Sequence, residues 1–470
     1  MTAAMSASGL VRRWFGNSAV TVVGGFGTAA TTLLLPAIVA RYLSSDEFSL
    51  WSLALQIIVY VNLLGLGLQL ATARAVSYAG DAGVDATLRS PVIARAARSI
   101  SKRAAAIAVL VIVALVVSCP LLFPSVPRTS IAEFRVVLAL FGLVGLAQIL
   151  SEPDMGVFQG LHRYTGFVGP KMSTRILGVL LVWLGVLARQ HMVVLAVLLA
   201  AGMTMLWPVM RLAVLRAVPW GRRIAAVRVD KARRRELLQY CGAFSVMSVS
   251  MLVVNTAGVL IVGSMDFQMT GAYAIAMTAA TVPVGLLGAA LSPLLTTASA
   301  MHANHDTRAR LPRLTTVTTV VIAIGLNLFF VGVELLYPQI LHLWVGARFI
   351  ATAGPLLVIL VAAHCFRNVG APYSLMLLAA GLHRRALYTA VLEGAVNLAV
   401  SIILGVRYGA VGVAFGTLIG SFVGLVGCMA FNPARTPDIT PRPIMFSFCA
   451  VALPTVTFLP LHLYLLHLWV

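Results

Sequence analysis

Apolar runs of about 20 residues, each long enough as a helix to cross the hydrocarbon of a bilayer, follow one another along nearly the whole chain. A lone strand in lipid would leave its backbone groups unpaired, so each run is predicted to be a helix. The predicted spans are 17–40, 49–73, 104–126, 135–158, 172–188, 192–213, 240–264, 271–299, 314–336, 351–379, 387–405 and 410–431. A thirteenth hydrophobic segment, 444–469, carries Pro454 and Pro460. The first span follows Arg12 and Arg13 but is too long for a signal-peptide core and lacks an A-x-A end, so it is kept as a membrane helix. The fold class expected is all-α, a polytopic integral membrane protein.

Composition sharpens this picture. Of 470 residues, 60% are hydrophobic and 10% charged, more apolar surface than a soluble domain could hide. Counting span ends with their loops, 26 Lys and Arg residues fall on the N-terminus and the even-numbered connections and six on the odd-numbered ones. The positive-inside rule then places the N-terminus in the cytoplasm. The net charge of +20 is spread along this cytoplasmic rim, which excludes nucleic acid as its partner and points to anionic lipid heads. One basic connection, 74–103, contains "TLRSPVIARAARSISKR" and is expected to be an amphipathic helix on the inner surface. The five cysteines are odd in number with no CxxC pair, so free buried thiols are expected, without a metal site. No phosphate-cradling glycine loop occurs at a strand-to-helix junction. No cofactor and no enzymatic activity are expected.

The chain also repeats itself. GLHR occurs at 160–163 and again at 381–384, a shift of 221. Residues 48–66 lie over 270–288 at a shift of 222, with Trp51 over Tyr273, and 189–197 lie over 407–415 at 218. Two six-helix lobes in parallel repeat are expected, with a substrate path between them. The boundaries are 1–212 for the first lobe, 213–239 for a basic linker, 240–431 for the second lobe and 432–470 for the hydrophobic extension. GLHR itself is expected to close the inner ends of spans 4 and 10, with Gly ending each helix.

Four stretches carry a family resemblance. "RYLSSDEFSLWSL" at 41–53, "LLGLGLQLATARAV" at 63–76, "ILHLWVGARFIATAGPLLVIL" at 340–360 and "YGAVGVAFGTLIG" at 408–420 resemble, in order, motifs of the polysaccharide flippase family. That family belongs to the superfamily that also holds multidrug extruders and the lipid II flippase. The resemblance implies a V-shaped pair of six-helix lobes that moves undecaprenyl-pyrophosphate-linked sugar repeat units to the periplasmic leaflet. The implied partners are the lipid-linked oligosaccharide, membrane lipids, and a polysaccharide polymerase with its export machinery.

Such a substrate has a polar head that must cross about 30 Å of hydrocarbon, which calls for cations to hold a diphosphate and polar groups to hold sugars. Arg367 in span 10 lies 14 residues from Gly381, about 21 Å of helix, close to the midplane. His364 and Asn368 accompany it, and Pro372 is expected to kink the span. Arg175, Lys171 and Arg74 are further cationic candidates for the diphosphate. Glu152, Asp154 and Glu393 are candidates for ion coupling or for structural ion pairs. Glu152 and Asp154 flank Pro153, where an opened turn is expected. By helix rise alone, Glu152 and Glu393 sit about 9 Å nearer the inner edge than Arg367.

Four alternatives compete. An acidic, cation-binding lobe would favour a drug or small-solute antiporter, and an Arg-rich first span a lipid II flippase; the first span here has no charge. A major-facilitator transporter would show a short Gly- and Arg-bearing loop between spans 2 and 3, where about thirty residues stand. A polymerase would carry a large outside loop, and the longest here is 337–350.

Overall fold

A computed structural model describes residues 7–65, 67–81, 86–227, 231–303, 308–442 and 449. The described chain is helical, with no strand among these residues. The thirteenth hydrophobic segment, 444–469, lies outside the described residues apart from Cys449. Nine helices among the described residues are long and apolar enough to cross a membrane, which makes this a multi-pass membrane protein. Twelve spans were expected. The two numbers differ partly because spans 11 and 12 meet at Gly409 with no loop between them and count once, and because span 7 contributes only the shorter apolar piece Leu252–Met265.

Two compact units divide the chain. The first holds Met1–Leu43 and Leu50–Val249, the second Ser44–Ser49 and Ser250–Val470. In the first unit α1 is Ala7–Tyr42, α2 is Ser45–Val61 (its start, to Ser49, belongs to the second unit), α3 is Leu68–Asp81, α4 is Ala86–Leu122 and α5 is Ile131–Gly160. There follow α6 at Thr165–Leu187, α7 at Met192–Thr204, α8 at Leu206–Ala217 and α9 at Lys231–Met265, whose C-terminal part belongs to the second unit. The second unit continues with α10 at Phe267–Ala303, α11 at Leu311–Trp344, α12 at Ile350–Val369, α13 at Ala371–Ala379 and α14 at His383–Phe431.

Local chemistry explains the breaks. Ser44 and Glu47 form a reciprocal capping box at the start of α2, with Glu47 N–H donating to Ser44 Oγ (3.2 Å) and Ser44 N–H to Glu47 Oε2 (2.9 Å). Span 2 does not run through. After Val61 it tightens into a 3₁₀ turn at Asn62–Gly65, passes Gly67 at φ 64° and restarts as α3. Span 10 is interrupted at Gly370, two residues before Pro372, in keeping with the expected kink.

The opened turn expected at Pro153 does not occur. α5 runs straight through it. Proline withholds the N–H that Ile149 C=O would accept, and Ser101 Oγ of α4 donates to that carbonyl instead (2.8 Å). The connection 74–103 is likewise not a separate surface helix. Its C-terminal part is the first half of α4, and Ala94, Ala97, Arg98 and Ser101 on it are buried. The basic stretch 213–239 carries Trp220 and Ile224, which pack with Met155, Phe158, Met210 and Val214 in the core of the first unit.

GLHR does close both helices, by Schellman bonding. Arg163 N–H reaches Phe158 C=O (2.9 Å) and His162 N–H reaches Gln159 C=O (3.0 Å). In the second copy Leu382 N–H reaches Leu377 C=O (2.8 Å) and Gly381 N–H reaches Leu378 C=O (3.1 Å). The left-handed residue is Gly381 (φ 76°) in the second copy but His162 (φ 55°) in the first, where Gly160 stays helical. The aligned aromatics Trp51 and Tyr273 are both fully buried, Trp51 edge-on to Phe141 with ring centroids 5.0 Å apart.

α14 is a hairpin. Gly409, at φ 58° and ψ −141°, reverses the chain within what is otherwise continuous helix. Gly412, Gly416, Gly420 and Gly424 then lie every fourth residue along the second arm. They sit against Leu404, Ser401, Asn397 and Glu393 of the first, so closely that a Cβ at Gly416 or Gly420 would collide with backbone. This close approach brings Glu393 and Ser421 to one level beside α12, the most buried helix of the unit.

Candidate functional site

Among the described residues each unit holds at least one polar cluster within its apolar helices. In the second unit it centres on Arg367 of α12. Its Nε donates to Glu393 Oε1 at 2.5 Å, Nη1 to Asn255 Oδ1 at 3.0 Å, and Nη2 to Ser421 Oγ at 2.8 Å. Nη1 also faces His364 Nδ1 at 3.1 Å. A guanidinium only donates, so Nδ1 accepts and the imidazole carries its proton on Nε2. The Arg367 and Glu393 side chains are 11% and 8% exposed, a buried pair. Asn368 does not join this network through its amide, which donates back to His364 C=O at 2.7 Å.

The separation of about 9 Å expected between Arg367 and Glu393 is thus closed to direct contact. That separation counted rise along unbroken parallel axes, whereas span 10 is interrupted at Gly370 and the arginine side chain is long. Four of the five guanidinium N–H directions are met by the protein itself.

In the first unit Asp154 is a fixed knot. Its Oδ1 accepts from Arg98 Nε (2.8 Å) and Nη2 (2.6 Å), and Oδ2 faces Arg211 Nη1 at 3.4 Å. Asp154 is fully buried and Arg98 nearly so. A carboxylate clasped by two arginines is held for structure, tying α4 and α8 to α5.

Glu152, two residues away, points to another face of α5. There Gly145, Gln148, Glu152, Gly156 and Gln159 recur every three or four residues and meet the broken span 2. Asn62 Nδ2 donates to Gln148 Oε1 (2.7 Å), and Gln69 Nε2 to Gln159 Oε1 (3.0 Å). The Glu152 carboxylate lies where a Cβ at residue 65 would stand, so a side chain there would have to displace it. It faces the backbone N–H groups of Leu68 and Gln69, the orphan donors that open α3. A side chain of one helix thus caps the half-helix restarted in another.

Lys171 and Arg175 sit one turn apart on α6 and are half-buried. Neither makes an ion pair among the described residues. Arg74, on α3, is exposed. The groups not foreseen are Arg98, Arg211 and Ser421. Arg98 had a readable signal, since it shares a helix face with the small residues Ala94, Ala97, Ser101 and Ala105.

No protein-family model matches the chain, and no curated protein matches it by sequence. Solved structures do. The lipid II flippase MurJ in an inward-closed conformation superposes with a TM-score of 0.71 at 12% identity, covering 94% of this chain and 92% of that one. An inward-facing multidrug resistance MATE family transporter of the MOP superfamily gives 0.67 at 16% identity, covering 86% and 94%. The MATE transporter ClbM in complex with Rb+ gives 0.56 at 16%, covering 94% and 97%. The fold is therefore one that this flippase and these transporters share.

Proposed function

We propose that this protein is an inner-membrane flippase that carries undecaprenyl-pyrophosphate-linked polysaccharide repeat units from the cytoplasmic to the periplasmic leaflet. On this reading its N-terminus is cytoplasmic, and it works with a polysaccharide polymerase and export machinery. The shared fold supports transport across a membrane. The observation that carries the substrate class is the contrast between the cations. Arg367 and Arg98 are neutralised by Glu393 and Asp154, while Lys171 and Arg175 stand one turn apart in a spanning helix without an ion pair among the described residues. Two adjacent charges at such a position are costly unless an anion or a wet cleft faces them. A diphosphate meets that need, the arginine gripping it by its fork and the lysine as a point charge.

On this reading Lys171 and Arg175 hold the diphosphate, Arg74 helps to attract it, and Arg367 with His364 and Glu393 positions the second unit. A cationic drug finds less support. Asp154 and Glu393 are bound to arginines and Glu152 faces backbone amides, so none of these three carboxylates recommends the antiporter. The test is deletion of the gene. Loss of a surface or secreted polysaccharide, with lipid-linked repeat units left facing the cytoplasm, is expected. Intact polysaccharide with drug sensitivity would replace this reading by the antiporter, and arrested peptidoglycan synthesis by the lipid II flippase.

A further inference from the structure

The Asp154 knot holds more positive charge than its carboxylate can balance. Arg98 takes Asp154 Oδ1 with two nitrogens, at 2.8 and 2.6 Å. Arg211 reaches Oδ2 only at 3.4 Å, and 33% of its side chain stays exposed. Arg95 lies one turn before Arg98 on α4, within electrostatic range of it, half-buried and with no ion pair among the described residues. Arg222 and Arg223 are exposed on the linker turn, whose Ile224 packs with Ala94, the residue before Arg95. The surroundings are not those of a water-washed surface. On α8 Trp207, Arg211 and Leu215 follow one another at successive turns, and Trp207, Leu212 and Leu215 are 42%, 45% and 37% exposed. Arg211 therefore stands in an outward apolar face, at the end of the span where the basic linker begins.

We infer that the seam between α4 and α8 binds the head of an anionic phospholipid, its phosphodiester held by Arg95 and Arg211 and its acyl chains lying along Trp207 and Leu212. Each part of such a lipid has its counterpart. Three guanidinium charges less one carboxylate leave a positive surplus, which selects a net negative head over a zwitterionic one. A guanidinium fork takes two phosphate oxygens at once. Basic pockets between spanning helices, at their cytoplasmic ends, are where such heads bind. A free phosphate would meet the same arginines but would leave the apolar face beside them uncovered. Asp154 and Arg98, bonded to each other, fix the floor on which the other two arginines stand. The site uses other helices than the Lys171 and Arg175 pair of α6, and it does not depend on what the protein carries.

The experiment places the purified full-length protein in phosphatidylcholine bilayers and titrates in brominated phosphatidylglycerol or brominated phosphatidylcholine. Bromine quenches tryptophan at short range, and the difference between wild type and Trp207→Phe isolates Trp207 among the seven tryptophans. Phosphatidylglycerol is expected to quench Trp207 at a mole fraction about tenfold lower than phosphatidylcholine does. Arg95→Gln and Arg211→Gln should each reduce this preference about fivefold, and together they should abolish it. Arg128→Gln, beyond the opposite end of α4, should leave it unchanged. If Arg211→Gln unfolds the protein by loosening Asp154, Arg95→Gln alone decides, because it breaks no ion pair among the described residues. Part of the preference should survive about 1 M salt, where exposed charges are screened beyond about 3 Å. Equal quenching by both lipids, full preference in folded Arg95→Gln, or a preference erased by that salt would each overturn the proposal. Displacement of the lipid by millimolar glycerol phosphate would also overturn it, by making the ligand a free phosphate.

Discussion

Removing Arg367 and Glu393 singly and then together should give sharply non-additive losses of stability. The pair is in direct contact at 2.5 Å with 11% and 8% side-chain exposure, so neither charge can fall back on water. Arg367→Met leaves Glu393 as an uncompensated buried carboxylate and also takes a donor from Asn255 Oδ1 and Ser421 Oγ. Glu393→Leu leaves the guanidinium with only neutral partners. Each single change should cost about 3–5 kcal/mol, the usual cost of breaking a buried pair from one side. The double variant strands no charge, and its loss should stay within about 2 kcal/mol, the cost of a few neutral hydrogen bonds. The coupling energy then falls in the upper part of the range of about 1.5–7 kcal/mol measured for close charge pairs. The assay is an SDS titration of detergent-solubilised protein followed by tryptophan fluorescence, analysed as a double-mutant cycle. Additive losses, or an Arg367→Met variant as stable as the parent, would refute the reasoning. Export by the folded double variant supplies a second reading: retained export keeps Arg367 a positioning residue, and lost export makes it a contact of the substrate.

Three further outcomes follow from the same geometry. Lys171→Ala and Arg175→Ala should each lower polysaccharide export at matched protein level by about 10- to 100-fold, the loss of one charge-assisted contact of about 1.5–3 kcal/mol. Gly420→Val should destabilise the α14 hairpin by about 1–3 kcal/mol or more, since its side chain meets Asn397 backbone, and the same titration would show it. His162→Gly should stabilise by about 1 kcal/mol and Gly381→Ala should destabilise by a similar amount, because both positions are left-handed and only one carries glycine.

The helices and the fold class were legible because membrane spans are written in long apolar runs, and every such run in the described residues is helical. Tertiary pairing was not. Arg367 and Glu393 are 26 residues apart, and their contact depends on the turn at Gly370 and the Gly409 hairpin, neither of which enters a count of helix rise. Pro153 announced a break that Ser101 of α4 repairs, a partner far away in sequence. Asp154 was legible as a deep carboxylate, but its partner Arg98 had been counted with the charges of a loop. The four-residue spacing of Gly412, Gly416, Gly420 and Gly424 was in plain view, and it is the signal that α14 packs on itself.

Reconstitution tests the central claim most directly. Purified protein would be placed in liposomes containing a fluorescent undecaprenyl-pyrophosphate-linked oligosaccharide, and an impermeant reagent that destroys exposed fluorophore would report the leaflet of each molecule. Without protein about half the lipid should stay protected, because the head crosses about 30 Å of hydrocarbon only very slowly. With protein the protected fraction should vanish, and the Lys171→Ala, Arg175→Ala double variant, folded and equally incorporated, should restore it. Full protection in the presence of wild-type protein, or unimpaired loss of protection with the double variant, would contradict the account.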